Sequence, residues 1–116
     1  MKVTIEELEA YLYEQYGDRP KGADQGLFMK LVEEIGEVAE ILNQRSGGKA
    51  VDVDDLDAEL GKELADVIHY AIAIAAVNKL DLNKIILSKD KEASVKYRRV
   101  VNLEDFVIIK RTDDTQ

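Results

Sequence analysis

The chain has 116 residues, with 24 acidic and 16 basic side chains and a formal net charge of −8 at pH 7. Its length supports one domain with a modest core, and its charge opposes binding to nucleic acid and to anionic membranes. The absence of cysteine excludes disulfides, thiolate metal sites and thiol nucleophiles. We therefore expect a single domain over residues 1–116, in a reducing compartment.

The start of the sequence and its longest uncharged stretch argue against export and membrane insertion. Residues 1–4 contain no basic and apolar leader and run directly into a helical pattern. The uncharged stretch, residues 67–77, is shorter than the roughly 20 apolar residues that span a bilayer as a helix. We expect a cytoplasmic protein with no membrane partner.

The first two predicted helices are separated by the strongest turn signal in the chain. Thr4 and Glu7 have the spacing of a capping box, and apolar side chains follow at helical intervals to about Tyr16. Residues 17–22 contain two glycines and the only proline, which predicts a loop. A second helix then begins near Asp24. Its predicted apolar stripe consists of Leu27, Leu31, Ile35, Val38 and Leu42.

Two further helices follow a flexible, polar connection over residues 46–54. The third begins near Asp54 or Asp55, ends near Asn78 and is apolar on most of its circumference. One small helical hairpin cannot cover that surface, so we expect a second copy of the chain to complete the bundle. Asp81 caps a fourth helix, which we extend toward Arg99.

The C-terminal tail, residues 100–116, has a different pattern. Residues 106–109 are aromatic and β-branched, which is typical of a strand, while residues 113–116 resemble a frayed end. The predicted fold class is all-α: a four-helix bundle completed by oligomerisation, with a short irregular or strand-like tail.

Two acidic motifs carry most of the chemical information. They are EEIGE at residues 33–37 and ELAD at residues 63–66. Residues three apart on a helix are neighbours, so Glu34 pairs with Glu37 and Glu63 pairs with Asp66. If the two helices lie antiparallel, the four carboxylates converge, and their mutual repulsion is costly unless a cation lies among them. The pattern predicts a magnesium site.

Two other interpretations of these residues stay open. Glutamates on helices usually form a solvated face, and Glu33 and Glu37 point nearly opposite the predicted apolar stripe. Against this, Glu63 and Asp66 lead into a helix that is buried almost all round, where a carboxylate needs a partner or a cation. The only histidine, His69, forms no Glu-x-x-His motif of the di-iron type, so we expect it to be hydrogen-bonded in the core or at a subunit interface.

The fourth helix and the residues after it are basic in an otherwise acidic protein. Such a run of charge is usually a solvated face. The alternative is that some of these side chains contact a phosphate held on the magnesium ion. Lys30, one turn before the first acidic motif, is a further candidate for a phosphate contact.

The two acidic motifs, followed by a basic helix, resemble those of the MazG-like nucleotide pyrophosphohydrolases, members of the all-α NTP pyrophosphatase superfamily. The resemblance covers residues 24–99. It implies Mg²⁺, or Mn²⁺, bound by Glu34, Glu37, Glu63 and Asp66, with Glu33 and Glu34 as the catalytic residues that position or deprotonate water. It also implies cleavage of a nucleoside triphosphate between its α and β phosphates, to give a monophosphate and pyrophosphate.

The resemblance has one departure and leaves the substrate open. Many relatives carry an asparagine among the basic residues of the last helix, and this chain has none between Lys84 and Arg99, so Lys91 and Arg98 are the candidates there. A homodimer or homotetramer is implied, with the base pocket near the subunit interface. A phosphoribosyl-ATP pyrophosphohydrolase, a dimeric dUTPase-like enzyme and a non-catalytic helical metal-binding or adaptor module are the alternatives.

Overall fold

The computed structural model describes residues 1–47 and 53–114, and these ranges contain five α-helices and no strand. The helices are α1 (Ile5–Tyr16), α2 (Ala23–Ser46), α3 (Val53–Val77), α4 (Leu82–Lys96) and α5 (Leu103–Asp114). None of the helices in the described ranges is long and apolar enough to cross a membrane. The prediction of an all-α chain is confirmed.

The chain forms two compact units, Met1–Leu80 and Asp81–Gln116. The first contains α1, α2 and α3, and the second contains α4 and α5. The single domain expected over residues 1–116 stays a prediction. Most of the connection that we expected over residues 46–54 lies outside the described residues.

Helix α1 begins where its capping signal predicts. The hydroxyl of Thr4 accepts a hydrogen bond from the Glu7 N–H at 3.1 Å, and the Thr4 N–H donates to the Glu7 carboxylate at 3.0 Å. These bonds from Thr4 stabilise the ionised carboxylate and lower the pKa of Glu7. The helix ends at Gly17, whose N–H donates to the carbonyl of Tyr13 at 2.7 Å.

Helices α2 and α3 form an antiparallel hairpin. Near one end Arg45 pairs with Asp57 at 3.5 Å, and near the other the Asn78 amide donates to the Asp24 carboxylate at 3.2 Å. Helix α1 packs against α3. The buried apolar residues of the first unit are Leu12, Leu27, Ile41, Leu56, Ile72, Ala73, Ala75 and Ala76.

The buried face of α2 differs from the predicted stripe, because α2 carries two apolar stripes about 100° apart. The inward stripe consists of Leu27, Leu31, Val38 and Ile41, which are buried or half-buried. The outward stripe consists of Phe28, Val32, Ile35 and Leu42, which are exposed. The predicted stripe mixed the two, since Ile35 and Leu42 are 50% and 46% exposed.

Helix α3 repeats this arrangement. Its inward stripe consists of Leu56, Leu60, Val67 and Ile74. A second, outward stripe holds Leu64 and Ile68, which are 44% and 52% exposed. Each helix of the hairpin therefore presents one apolar stripe to the interior of the first unit and a second one to solvent.

In the second unit, the start of α4 and the start of α5 are fixed by side-chain caps. The Asp81 carboxylate accepts from the Lys84 N–H at 3.1 Å, which confirms the predicted cap of α4. The Asn102 side chain accepts from the Asp105 N–H at 2.9 Å. The Asp90 carboxylate, from α4, accepts from the Leu103 N–H at 2.6 Å, so α5 is capped both locally and across the hairpin.

The strand-like tail is the part of the fold prediction that is wrong. Residues 106–109 lie inside α5, because the two caps at its first turn and the acidic side chains of Glu104 and Asp105 favour a helix over local β-propensity. The predicted fourth helix also ends earlier than Arg99. Lys96 is its last residue, and Arg98 adopts a left-handed backbone with φ of 54°.

Replacing Leu12 should destabilise the first unit. Leu12 is the largest fully buried side chain, so Leu12→Ala should lower the free energy of unfolding by about 2–5 kcal/mol through lost burial and a cavity. Chemical denaturation monitored by circular dichroism measures this. Leu80→Ala, at a site 46% exposed, is the control and should cost much less. Equal losses for the two variants would contradict the packing of α1.

Candidate metal centre

Three of the predicted metal ligands come together between α2 and α3. Glu34, Glu37 and Glu63 each offer a carboxylate oxygen, and these oxygens all lie within 4.8 Å of one another. All three residues are half-buried. The antiparallel hairpin therefore converges the two acidic motifs as the sequence predicts, and we call these three residues the carboxylate triad.

The triad is partly buried because two of its members occupy the inward stripes. Glu34 lies on α2 in register with Leu31 and Ile41, and Glu63 lies on α3 in register with Leu60 and Val67. Residues at these spacings share one face of a helix, so a carboxylate at either position points to the same side as the buried leucines. The predicted rotation of α2, which placed Glu33 and Glu37 nearly opposite the apolar stripe, is wrong for Glu37, which is half-buried in the triad.

The electrostatics of the triad are unfavourable without a counter-charge. One oxygen of Glu34 and one of Glu63 are buried, and no donor of the described residues reaches either of them. A proton on Glu63 would supply such a donor. Hydrogen bonding with Glu34, and then with Glu37, raises the pKa of Glu63 to about 8. Burial and the like charge of the two neighbouring carboxylates raise this pKa as well. The site is therefore built to hold a cation or a proton.

The donor set fits a hard divalent cation. All three groups of the triad are carboxylates, which are the preferred protein ligands of Mg²⁺ and Mn²⁺, and the triad contains no histidine. The two buried oxygens without a donor are the atoms that such an ion would satisfy. The residues present therefore fit a divalent metal ion, without distinguishing Mg²⁺ from Mn²⁺.

The other predicted site residues of the first unit, Asp66, Glu33 and Lys30, lie outside the triad. Asp66 is exposed on the next turn of α3. Glu33 pairs with Lys30 at 3.4 Å on α2, with more than half of each side chain exposed. Gly36, within the first motif, has open space where a side chain would begin, so nothing in the described chain packs against it.

The two basic candidates of the second unit have local partners or an unusual backbone. Lys91 pairs with Glu104 at 2.8 Å, and this hydrogen bond raises the pKa of Lys91. Arg98 is exposed and follows α4. Its backbone has the left-handed conformation, which residues other than glycine rarely adopt. The Lys91 pair connects α4 to α5.

His69 has the role that we expected, with partners that sequence reasoning missed. Its Nε2 atom lies 2.8 Å from the hydroxyl of Tyr16, so His69 is hydrogen-bonded between α3 and α1 as predicted. Arg19 lies over the Tyr16 ring at 4.6 Å. No local spacing in the sequence links residue 16 to residue 69, because their contact depends on how α1 packs against α3.

The fold and the site define a class of protein: an all-helical domain whose antiparallel hairpin presents clustered carboxylates. Residues 23–99 match the model of the MazG nucleotide pyrophosphohydrolase domain, and the chain belongs to this family. It is a hydrolase that acts on phosphoanhydrides. The resemblance read from residues 24–99 is thereby confirmed, and α5 lies beyond the matched residues.

Comparison with solved structures gives the same result. The crystal structure of iMazG from Vibrio DAT 722 is similar to this chain, with a TM-score of 0.62 and 29% sequence identity. The match covers 84% of this chain and 100% of that chain. No curated protein matches.

The metal-free protein should lose stability as the pH rises through the range in which Glu63 titrates. The pKa of Glu63 is about 8 in the folded chain and an ordinary 4.5 when unfolded, so between these values the folded state binds more protons. The contribution of Glu63 is fully present below pH 4.5 and is lost as the pH passes 8. Glu63→Gln should remove this fall in Tm, measured in EDTA from pH 5 to 9.

The matched control is Glu14→Gln on α1, where the glutamate is exposed. Its Tm should follow the wild-type dependence on pH. Parallel curves for wild type and Glu63→Gln would show that the triad carries no proton of its own.

Proposed function

We propose that the chain is a Mg²⁺-dependent nucleoside triphosphate pyrophosphohydrolase, which cleaves the anhydride between the α and β phosphates and releases a nucleoside monophosphate and pyrophosphate. The observation that carries this proposal is the half-buried carboxylate triad, in which one oxygen of Glu34 and one of Glu63 lack donors, within the segment that matches the family. Mn²⁺ is the alternative ion.

Glu34, Glu37 and Glu63 would hold the ion, and we assign Asp66 as the fourth ligand because it lies one turn beyond Glu63 on α3. Their positions on two packed helices keep the carboxylates in place before substrate arrives. A bound Mg²⁺ neutralises the phosphate oxygens and makes phosphorus more open to attack.

We assign the handling of water to Glu33 and Glu34. Glu34 has two oxygens, so one can serve the ion while the other orients water or accepts its proton. Glu33 is exposed and paired with Lys30, which keeps its carboxylate beside the triad's helix face but leaves it accessible. The oxygen of water bonds to phosphorus as the bridging P–O bond breaks, pyrophosphate leaves, and no covalent enzyme intermediate forms.

Lys30, Lys91 and Arg98 are the proposed phosphate contacts. Each carries a positive charge in a chain whose net charge is −8, so a local device must attract the polyphosphate. Lys30 and Lys91 are held in surface ion pairs, which contribute little to stability and exchange readily for a more highly charged phosphate. The absence of cysteine fits a reducing compartment, and we place the protein in the cytoplasm.

We also propose that the chain is a homodimer or homotetramer. The outward stripes of α2 and α3 expose large apolar side chains along both helices of the hairpin. Contiguous apolar surface of this kind marks a site of association. Two hairpins that cover each other's outward stripes would form a symmetric interface and complete a four-helix bundle.

Mutating the proposed metal ligands should lower activity without unfolding the chain. Wild type should release pyrophosphate from nucleoside triphosphates with Mg²⁺ and none with EDTA. Glu37→Gln and Asp66→Asn should each lower kcat at least roughly 100-fold, the scale expected for loss of one electrostatic stabiliser. Mg²⁺ should raise the Tm of wild type, and this rise should be lost in Glu37→Gln.

The exposed Glu40, one turn further along α2, provides the matched control, and Glu40→Gln should keep both activity and the Mg²⁺-dependent Tm. Full activity in Glu37→Gln would refute the metal assignment. If the wild type releases no pyrophosphate from common, deaminated or oxidised nucleotides but cleaves phosphoribosyl-ATP, the enzyme is a phosphoribosyl-ATP pyrophosphohydrolase instead.

A charge on the outward stripe should break the oligomer. Ile35→Glu places a carboxylate in the proposed apolar interface, where its desolvation is costly, so the mass measured by light scattering should fall to that of a monomer. Gln44→Glu adds the same charge to α2 outside the stripe and should leave the mass unchanged. A wild-type mass of one chain would overturn the proposal.

A further inference from the structure

Three rings of the first unit form a cluster that the metal chemistry does not use. The ring cluster consists of Tyr16, His69 and Tyr70. The His69 ring meets Tyr16 edge to face at 5.8 Å and Tyr70 at 4.9 Å. All three residues are half-buried, so part of the cluster's surface is accessible.

The imidazole of His69 is held in a fixed direction. Its Nε2 atom is hydrogen-bonded to the Tyr16 hydroxyl, while its Nδ1 atom has no hydrogen-bond partner among the described residues. A ring that is oriented through one nitrogen presents the other as a directed donor or acceptor. The ring cluster therefore combines aromatic surface with one polar atom of set orientation.

The ring cluster lies on the same side of α3 as Glu63 of the carboxylate triad, further along the helix. Tyr70 follows Glu63 by seven residues, which places it on the same face of α3 and about 10 Å further along the helix axis. In a nucleotide the sugar separates the phosphates from the base. A nucleotide whose phosphates are held at the triad thus has a length that suits a base beside Tyr70.

A cavity lies beside Arg19, at the edge of the ring cluster. Arg19, which stacks on the Tyr16 ring, lines a cavity of about 290 Å³ between the loop before α2 and the end of α3. Asp24 and Asn78 line the same cavity and supply polar atoms. Tyr16, His69 and Tyr70 do not line this cavity, which meets the ring cluster only through Arg19.

We infer that the ring cluster binds the nucleobase of the substrate: Tyr70 stacks on the base, and His69, held by Tyr16, reads its polar edge. Aromatic rings bind the π-face of every base, whereas hydrogen bonds from an oriented group distinguish one base from another. This inference rests on the proposed function, because only a nucleotide substrate brings a base to the cluster.

The test compares ligands with and without a base. Calorimetry with Mg²⁺ gives the Kd of α,β-methylene nucleoside triphosphates of the common bases and of inorganic tripolyphosphate. Tyr70→Leu should raise the Kd of the nucleotides about tenfold, as expected for loss of one stacking contact, and leave the Kd of tripolyphosphate unchanged. Tyr70→Phe keeps the ring and should stay within about twofold of wild type.

A second variant probes the polar edge and does not depend on the first. Tyr16→Phe keeps the ring and removes the hydroxyl that orients His69, so the ratio of Kd values between bases should shrink while tripolyphosphate binds as before. Tyr11→Leu, at an exposed site of α1, is the control and should change neither quantity. Circular dichroism confirms that each variant is folded.

Two results would overturn the inference. An equal loss of nucleotide and tripolyphosphate binding in Tyr70→Leu would place Tyr70 at the phosphates or in the fold. Unchanged nucleotide binding in both Tyr70→Leu and Tyr16→Phe would remove the base from the cluster. The proposed function has a separate test: it fails if the wild type releases no pyrophosphate from hydrolysable nucleotides. In that case the binding data still decide whether the ring cluster recognises a base.

Discussion

The burial of two carboxylates at positions where a hydrophobic residue would pack is the constraint on which the site depends. Glu34 and Glu63 lie in the inward stripes of α2 and α3, and each has a buried oxygen without a donor. Such groups are costly to bury unless a proton or a cation satisfies them. The hairpin that forms the core of the first unit therefore also forms the candidate metal centre, and a cation bound there would stabilise both.

A second consequence follows from the geometry of the same hairpin. Because α2 and α3 each carry two apolar stripes, only one stripe per helix is covered within the first unit. The remaining stripe, with Val32 and Ile35 on α2 and Ile68 on α3, leaves apolar surface of the folded chain exposed to solvent. Association of two copies would cover this surface without disturbing the inward side, where the carboxylate triad lies.

The sequence was sufficient for the parts of the structure that depend on local signals. The Thr4 and Asp81 caps, the position of the loop before α2 and the pairing of the two acidic motifs all follow from spacing along the chain. The rotation of α2 did not follow, because two stripes about 100° apart give one broad apolar pattern. Only packing against α3 selects Ile41 over Leu42 for the interior.

Helix α5 also shows where prediction from local sequence stops. Residues 106–109 have strand-like composition, yet Asn102 and the two acids after it form a helix-start signal that could have been recognised. The stronger determinant is not local, since Asp90 of α4 accepts from the first N–H of α5. Sequence periodicity does not predict a contact across a hairpin, and it does not predict the hydrogen bond between Tyr16 and His69 either.

The residues of the proposed active site differ in how firmly the structure holds them, and that difference suits their tasks. The carboxylate triad is fixed by two packed helices, which is what a metal centre needs, because reorganising charged ligands during the reaction would cost rate. Lys30 and Lys91 are instead long exposed side chains in surface ion pairs with Glu33 and Glu104. Such pairs are weak, so a phosphate that binds at either lysine, as we propose, would displace its carboxylate partner, and the ion pair would form again on release.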